Sequence, residues 1–284
     1  MNHKIISLAP GLHFVATPIG TARDITLRAL DTLASADVLA AEDTRSLKRL
    51  LEIHGVPLGV RHVMAYHDHS GAGTRAKLLA LLAEGKSVAY ASEAGTPLIA
   101  DPGYHLAREA SEAGHLVTSA PGASAIITAL SIAGLPTDAF FFAGFLPNAK
   151  TARKTALQTV KDVPGTLVFY ESPRRLVDML RDAAEVLGDR PAAVCRELTK
   201  KFEEVERGAL TALAGSYAAR SVKGEIVVLI ERAGDAQTSD EDMETALKTA
   251  LETMSVRDAS EAVAQAFSVN KRKVYARALE LKKG

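Results

Sequence analysis

The chain has 284 residues, 34 basic and 34 acidic side chains, 47% hydrophobic content and one cysteine. A formal net charge of zero excludes a chain-wide attraction to nucleic acid or anionic membranes, so any such attraction is local. The lone Cys195 excludes an intramolecular disulfide and a multi-cysteine zinc site, and no apolar stretch nears the ~20 residues that span a bilayer.

The apolar run Leu12–Ala16 ends at Thr17-Pro18-Ile19-Gly20, a strand followed by a turn. From Ile25 to Ala36 the apolar residues fall on one helical face, and Asp24 is a candidate cap. Val38–Ala41 reads as a strand, followed by polar Glu42-Asp43-Thr44-Arg45 and a helix through Leu51, with Asp43 or Thr44 as its cap. Val60–Ala65, Ser87–Ala91, Leu116–Ser119 and Ala139–Ala143 continue the strand series. Helices starting near Arg75, Tyr104 and Ala123 separate them. This alternation predicts a mainly parallel sheet covered by helices.

Past Pro147 the rhythm changes. A basic helix (Lys150, Arg153, Lys154) precedes a strand at Gly165–Tyr170 and a helix at Pro173–Leu187. Strands at Ala192–Arg196, Phe202–Arg207 and Glu225–Glu231, with one short helix at Leu210–Ala219, suggest antiparallel pairing. Cys195 follows apolar Ala192-Ala193-Val194 and reads as a buried structural thiol. A boundary near Ser119–Pro121 and a polar linker give domains at 1–120 and 121–232, a linker at 233–240 and a helical unit at 241–284. That last unit reads as three helices, Glu241–Thr253, Val256–Phe267 and Lys271–Lys282, with Ser255 and Asp258 resembling a capping box. The short turn before the last helix suits a helix-turn-helix.

Several strand ends carry residues fit for chemistry. Gly95, Thr96 and Pro97 lie in the run from Ser92 and Glu93 to Asp101-Pro102-Gly103, whose glycines and prolines let backbone approach a ligand. Pro121-Gly122-Ala123-Ser124-Ala125 places small residues at a helix N-terminus, where free N–H groups face an oxygen-rich ligand or simply start a helix. Glu42, Asp43 and Arg45 position a substrate, relay a proton or cap a helix. Phe169-Tyr170-Glu171-Ser172-Pro173-Arg174-Arg175 offers aromatic rings, an acid and arginines for a base and a phosphate. His67-Asp68-His69 invites a metal, but no third ligand is evident and a loop or substrate contact is expected instead. The last helix carries Lys271, Arg272, Lys273, Arg277, Lys282 and Lys283 against one acid, Glu280, which points to nucleic-acid contact. No phosphate-loop or dinucleotide fingerprint is present.

Taken together, His13–Gly20, Asp24–Leu30, Ala41–Arg45, Ala94–Ile99 and Tyr170–Pro173 resemble the bacterial ribosomal RNA small-subunit methyltransferase I family. That family belongs to the tetrapyrrole-methylase-like methyltransferases that use S-adenosylmethionine (SAM). The resemblance covers nearly the whole chain, helical tail included. It implies an α/β fold of a mainly parallel sheet domain and a mixed α/β domain, followed by a small helix-turn-helix-like domain. It implies a homodimer that transfers a methyl group from SAM to a ribose 2′-oxygen of a decoding-centre cytidine in 16S rRNA; the lone cysteine and the short apolar runs, by themselves, point to a cytoplasmic protein. Cofactor contacts are expected at Pro18, Gly20, Glu93, Gly95, Thr96, Pro97, Pro121, Gly122, Ser124, Ala125 and Gly224, RNA contacts at Lys271, Arg272, Lys273 and Arg277, and no metal. The chain departs from the family where Glu93 replaces its usual Asp, Arg174 a frequent His and Ser70 a frequent Asn.

A ribose hydroxyl is a poor nucleophile, so a base must take its proton during attack. Glu42, Asp43 and Glu171 are the candidates, with Lys154 and Arg45 placed to hold phosphate or acidify the hydroxyl. Two other classes fit parts of the pattern: a SAM methyltransferase of a tetrapyrrole or other small molecule, and a non-catalytic RNA-binding assembly factor. A small-molecule enzyme has no need of the basic tail.

Overall fold

The first strand shows how sequence places the site. Gly11–Val15 (β1) is buried at every position and pairs in parallel with Ser87–Ala91 (β4) on one side and Val117–Ala120 (β5) on the other. Val38–Ala41 (β2) and Val63–Ala65 (β3) extend the sheet past β4, in the order β3-β2-β4-β1-β5, all parallel. Side chains alternate between two cores. Val15, Leu39, Ala41, Ala89 and Ala91 pack under Leu27–Ser35 (α1) and Thr44–Ile53 (α2). Leu12, Phe14, Ala40, Val88 and Tyr90 pack under Ala72–Ala83 (α3) and Tyr104–Glu112 (α4). Both faces are covered, as an all-parallel sheet requires.

The computed structural model describes residues 2–67, 72–100, 103–233, 240–267 and 269–282. Asp68, His69, Ser70, Asp101, Pro102, Ser268, Lys283 and positions 234–239 of the expected linker lie outside the described residues. Two local expectations are corrected in the first sheet and its helices. Thr26, not Asp24, caps α1: its hydroxyl accepts from Ala29 N at 3.1 Å. The strand expected from Val60 begins only at Val63. Val60 is 95% exposed, and the Arg61 guanidinium holds a turn there by donating to the carbonyls of Leu33, Ala36 and Pro57.

Ala125–Ala133 (α5) leads to a second, mixed sheet of Phe140–Phe145 (β6), Thr166–Glu171 (β7), Pro191–Arg196 (β8), Glu204–Ala209 (β9) and Ile226–Ile230 (β10). The order is β6-β7-β10-β8-β9. β6 and β7 are parallel; β10 runs antiparallel to both β7 and β8, and β8 antiparallel to β9. One face packs on Lys150–Val160 (α6), Leu176–Leu187 (α7) and Leu210–Ala218 (α8) through Leu167, Phe169, Val194 and Val228. The other packs on α5 through Val168, Ala193, Cys195 and Val227. Burial there pushes the Cys195 thiol up to about 11, so it is an unreactive core group. α7 starts at Leu176 rather than at Pro173, because residues 173–175 form a turn in which Arg175 N donates to Ser172 O.

Contacts divide the chain into Met1–Glu231 and Arg232–Gly284. The second unit holds Asp240–Thr253 (α9), Val256–Ala266 (α10) and Lys271–Leu281 (α11) around Leu247, Ala259, Val263, Val274 and Ala278. Ser255 caps α10 by accepting from Asp258 N, and its hydroxyl meets the Asp258 carboxylate at 2.7 Å. No helix among the described residues is long and apolar enough to cross a membrane.

Candidate active site

The carboxyl ends of β1 and β4 lie side by side, yet the chain leaves β1 towards β2 and leaves β4 towards β5. Adjacent strands whose connections part in this way open a crevice at their carboxyl ends. Here the two loops are zipped together. Thr17 N donates to Gly95 O at 2.9 Å and Gly95 N returns the bond to Thr17 O at 3.0 Å. Ser92 Oγ donates to Gly95 O at 2.6 Å, and Thr96 Oγ1 donates to Ala123 O at 3.0 Å, tying in the loop after β5. Gly95 has φ +81, and a Cβ on Gly122 would stand 3.0 Å from the Ala16 Cβ. Leu98 and Ala100 also hold positive φ. Such strain in side-chain-bearing residues gathers where a ligand site needs a fixed backbone.

The opposite wall comes from the second sheet: the end of β7, the turn at Gly224-Glu225 before β10, and Leu198 after β8. Between the walls lies a cavity of about 370 Å³, lined by Ile19, Gly95, Ser124, Glu171, Leu198 and Gly224 among others. Thr96 and Ala125 also line it. Next to it a more open groove of about 560 Å³ is lined by Pro18, Gly20, Asp43, Arg45, Arg49 and Glu93.

The remaining expected positions are peripheral. Pro97 is buried beneath its loop, and the Pro121 carbonyl accepts from Thr26 Oγ1 at 3.3 Å. Glu42 Oε2 accepts from Glu93 N at 3.3 Å. Lys154 lines neither cavity; on α6 it pairs with Glu185 of α7 at 2.5 Å.

The three carboxylates considered as bases differ sharply. Asp43 caps α2, accepting from Arg45 N at 2.7 Å and Ser46 N at 3.3 Å; these bonds hold its carboxyl below the usual range. Glu171 is almost fully buried at the end of β7. Its Oε1 accepts from Ser172 N at 2.7 Å and lies 3.3 Å from Arg175 Nε, whereas buried Oε2 has no hydrogen-bond partner. Burial raises its pKa against the pull of Ser172 and Arg175. Arg175 is itself engaged by the Leu146 carbonyl at 2.5 Å, and Arg174 is exposed. Glu93 is also raised, by burial and then by the charges of Glu42, Asp43 and Glu225. Above Glu171, Tyr170 packs edge-on to Phe142 at 4.9 Å and tilted to Phe145 at 5.5 Å, so the cavity mouth carries aromatic faces.

Leu198, Phe145 and the charged run Glu197–Lys200 were not singled out from sequence. The available signal was a strand followed by charges, Arg196-Glu197-Leu198-Thr199-Lys200-Lys201, the same pattern as Ala41–Arg45. Gly224 is the tightest point of this wall. It has φ +97, and a Cβ there would lie 2.4 Å from the Glu197 carboxyl carbon, itself pinned by Lys200. Gly224→Ala is therefore expected to cost about 1–3 kcal/mol in backbone strain. A melting curve checks it: a lower Tm is the expected result.

In the C-terminal unit, Lys271 pairs with Glu261 at 2.5 Å, and Arg277 pairs with Glu244 and Glu280. Arg272 and Lys273 have no ion pair among the described residues, and Arg272 N is capped by Asn270 Oδ1 at 2.9 Å.

Comparison with known proteins decides the family. The profile for Tetrapyrrole (Corrin/Porphyrin) Methylases matches residues 11–214, and that for the RsmI C-terminal HTH domain matches residues 237–282. A protein of Mesorhizobium japonicum named "Ribosomal RNA small subunit methyltransferase I" is 48% identical over 277 residues, covering 97% of this chain and 93% of that one. The chain belongs to the ribosomal RNA small subunit methyltransferase I family. The family member of Escherichia coli O157:H7 is 42% identical over 95% of this chain and 94% of its own length. Among solved structures, a uroporphyrin-III C-methyltransferase from Thermus thermophilus, complexed with S-adenosyl homocysteine, superposes with a TM-score of 0.54 at 18% identity, over 78% of this chain and 97% of that one. At that identity the likeness shows the fold alone.

The chain is thus a SAM-dependent rRNA methyltransferase with the tetrapyrrole methylase fold. The cavity fits the cofactor. Its volume lies in the range of about 300–1,000 Å³ usual for small-molecule sites, and apolar Ile19, Leu198 and Val227 face main-chain polar groups at Gly95 and Gly224.

Proposed function

We propose that this methyltransferase modifies the ribose 2′-oxygen of a decoding-centre cytidine in 16S rRNA, with Glu171 as the base. The observation that carries this reading is the buried, unpartnered Glu171 Oε2 in the wall of the cavity, on a carboxyl whose pKa burial raises. Bound SAM supplies a methyl group on a positively charged sulfur. The Thr17–Gly95 zipper and the Gly224 turn align that group, and alignment is most of what an in-line displacement needs. Glu171 Oε2 accepts the hydroxyl proton as the oxygen–carbon bond forms and the carbon–sulfur bond breaks. Arg175 and Ser172 N hold the other carboxylate oxygen in place.

Of the other candidates, Asp43 is occupied as a helix cap and Glu42 in holding the Glu93 amide. Arg45 stands exposed at the open groove and suits a phosphate of the RNA strand. The cofactor contacts in this reading are Gly95, Thr96, Ser124, Ala125 and Gly224, with Pro18, Gly20, Glu93, Pro97, Pro121 and Gly122 shaping the loops that present them. Lys154 keeps a structural place between α6 and α7.

The C-terminal helices grip RNA in the same proposal, chiefly through Arg272 and Lys273, with Lys271 and Arg277 exchanging intramolecular carboxylates for phosphates. Removing residues 238–284 is expected to weaken RNA binding and flatten its salt dependence while SAM binding stays. A filter-binding titration at several salt concentrations checks this, and equal loss of both ligands would make the unit structural. A cytoplasmic homodimer acting on the small ribosomal subunit completes the reading. The dimer and the small subunit rest on the family resemblance and the cytoplasm on the lone cysteine, and the exposed Phe140 and Phe141 on the edge strand β6 are in keeping with a covered surface.

A further inference from the structure

The segment after β8 carries a bonded cluster that the reaction above does not use. Glu197 and Thr199 both hold left-handed backbone, φ 51 and 62. For β-branched Thr199 this conformation is costly and needs support from outside the segment. That support comes from two directions. Towards the second sheet, Glu197 N donates to Glu225 O at 2.9 Å, and Glu197 Oε1 accepts from Glu225 N at 3.0 Å. Lys200 Nζ closes the cluster, donating to Glu197 Oε1 at 2.9 Å and to Glu225 Oε2 at 2.8 Å. Towards the first sheet, Thr199 Oγ1 accepts from Thr21 N at 3.1 Å, and the Thr21 hydroxyl donates to the Thr199 carbonyl.

Both neighbouring turns are glycines pressed against this segment. A Cβ on Gly20 would stand 2.6 Å from Lys200 Cγ, and one on Gly224 would stand 2.4 Å from Glu197 Cδ. Gly224 lines the cavity, and so does Ile19, which precedes Gly20. A single stretch of four residues therefore touches the two turns that face each other across the cofactor cavity, one from each sheet. Burial pulls the Lys200 pKa down, but its bonds to Glu225 and Glu197 outweigh this and hold it above the usual lysine value. The ammonium thus stays charged through the neutral range, and the cluster is a standing strut.

We propose that Glu197 and Lys200 are positioning residues: they bond the Gly224–Glu225 turn, Thr199 between them bonds Thr21 just after the Thr17–Gly20 turn, and the segment so sets the width of the cofactor cavity. The proposal rests on reading that cavity as the SAM site. Neither residue need touch the reacting atoms. Small misplacements of a binding wall are enough to cost a large factor in productive binding.

The test uses the full-length chain, with SAM affinity read by calorimetry and KM for each substrate, kcat and Tm read in parallel. Lys200→Met keeps the methylene stem against Gly20 and removes both charged bonds; Lys200→Arg restores a charge. Lys200→Met is expected to raise the SAM dissociation constant and the KM for SAM about tenfold. The KM for RNA and kcat at saturating SAM stay within about twofold, and Lys200→Arg recovers most of the loss. Glu197→Gln provides an independent reading, with a loss in the same direction, should Lys200→Met fail to fold. Unchanged SAM affinity in a folded variant overturns the strut, as does a Lys200→Arg defect equal to that of Lys200→Met. Absence of SAM binding by the unaltered chain overturns the cavity assignment itself, a result separate from any difference between variants.

Discussion

Glu171→Gln is expected to lower kcat for methyl transfer by about 10²–10⁴-fold, the range for losing a general base. SAM affinity should stay near that of the unaltered chain. The substitution keeps an oxygen that accepts from Ser172 N and removes only the proton-accepting charge. The pH profile carries a second signature. A base works in its deprotonated form, so activity falls as pH drops through the Glu171 pKa, which burial places above the ordinary carboxylate value. That acidic limb disappears in the variant. Stability moves the other way: a carboxyl with a raised folded pKa holds its proton more tightly when folded, so its contribution is present at low pH and lost as pH rises through that folded value. Such an opposition between activity and stability is common at working sites. A rate profile across acid and neutral pH, with Tm measured in the same buffers, checks both.

Asp182→Ala is expected to cost about 3–5 kcal/mol of stability, because it strands a buried arginine. Arg153 of α6 and Asp182 of α7 are about 5% and 4% exposed, and both Arg153 Nε and Nη2 lie 2.7 Å from Asp182 Oδ2. The third guanidinium nitrogen donates only to Asn148 O, at 3.1 Å. With the carboxylate gone, the buried guanidinium loses its ion-pair partner and keeps only the Asn148 carbonyl. A chemical denaturation midpoint reads the effect. The paired replacement Arg153→Met with Asp182→Leu is expected to recover most of the loss, since replacing a whole buried ion pair by apolar groups of similar size is often neutral. This pair matters to the site because α7 begins directly after the turn that follows Glu171 and Ser172. A shift of α6 against α7 would carry that turn with it.

Much of the fold was legible because it is written in local pattern. Ser87–Ala91 and Ile226–Ile230 are short, apolar and bounded by turn residues, and both are fully buried central strands. Where local pattern was misleading, a distant partner had decided the matter. Val60 has strand propensity, yet Arg61 takes carbonyls from Leu33 and Ala36 and bends the chain into a turn instead. Asp24 was the expected cap, but Thr26 sits one residue before the helix and also reaches the Pro121 carbonyl. The site shows the same division. The loops at Thr17 and Gly95 were recognisable as glycine- and proline-rich strand ends, whereas their reciprocal bonding joins residues far apart in sequence. Lys154 was expected to hold phosphate or acidify the hydroxyl, because its partners Glu185 and Asp182 lie on α7, beyond the intervening strand β7. Glu197 and Thr199 gave no sign of left-handed backbone, because bonds to Glu225 and Thr21 impose it.

The central claim is tested most directly by methyl transfer to small ribosomal subunits that lack the modification, using labelled SAM and mapping the labelled nucleotide and atom. The expected result is label on the ribose 2′-oxygen of one decoding-centre cytidine, and its loss with Glu171→Gln while SAM still binds. Label on a base, or no labelled RNA despite SAM bound to the protein, would contradict it.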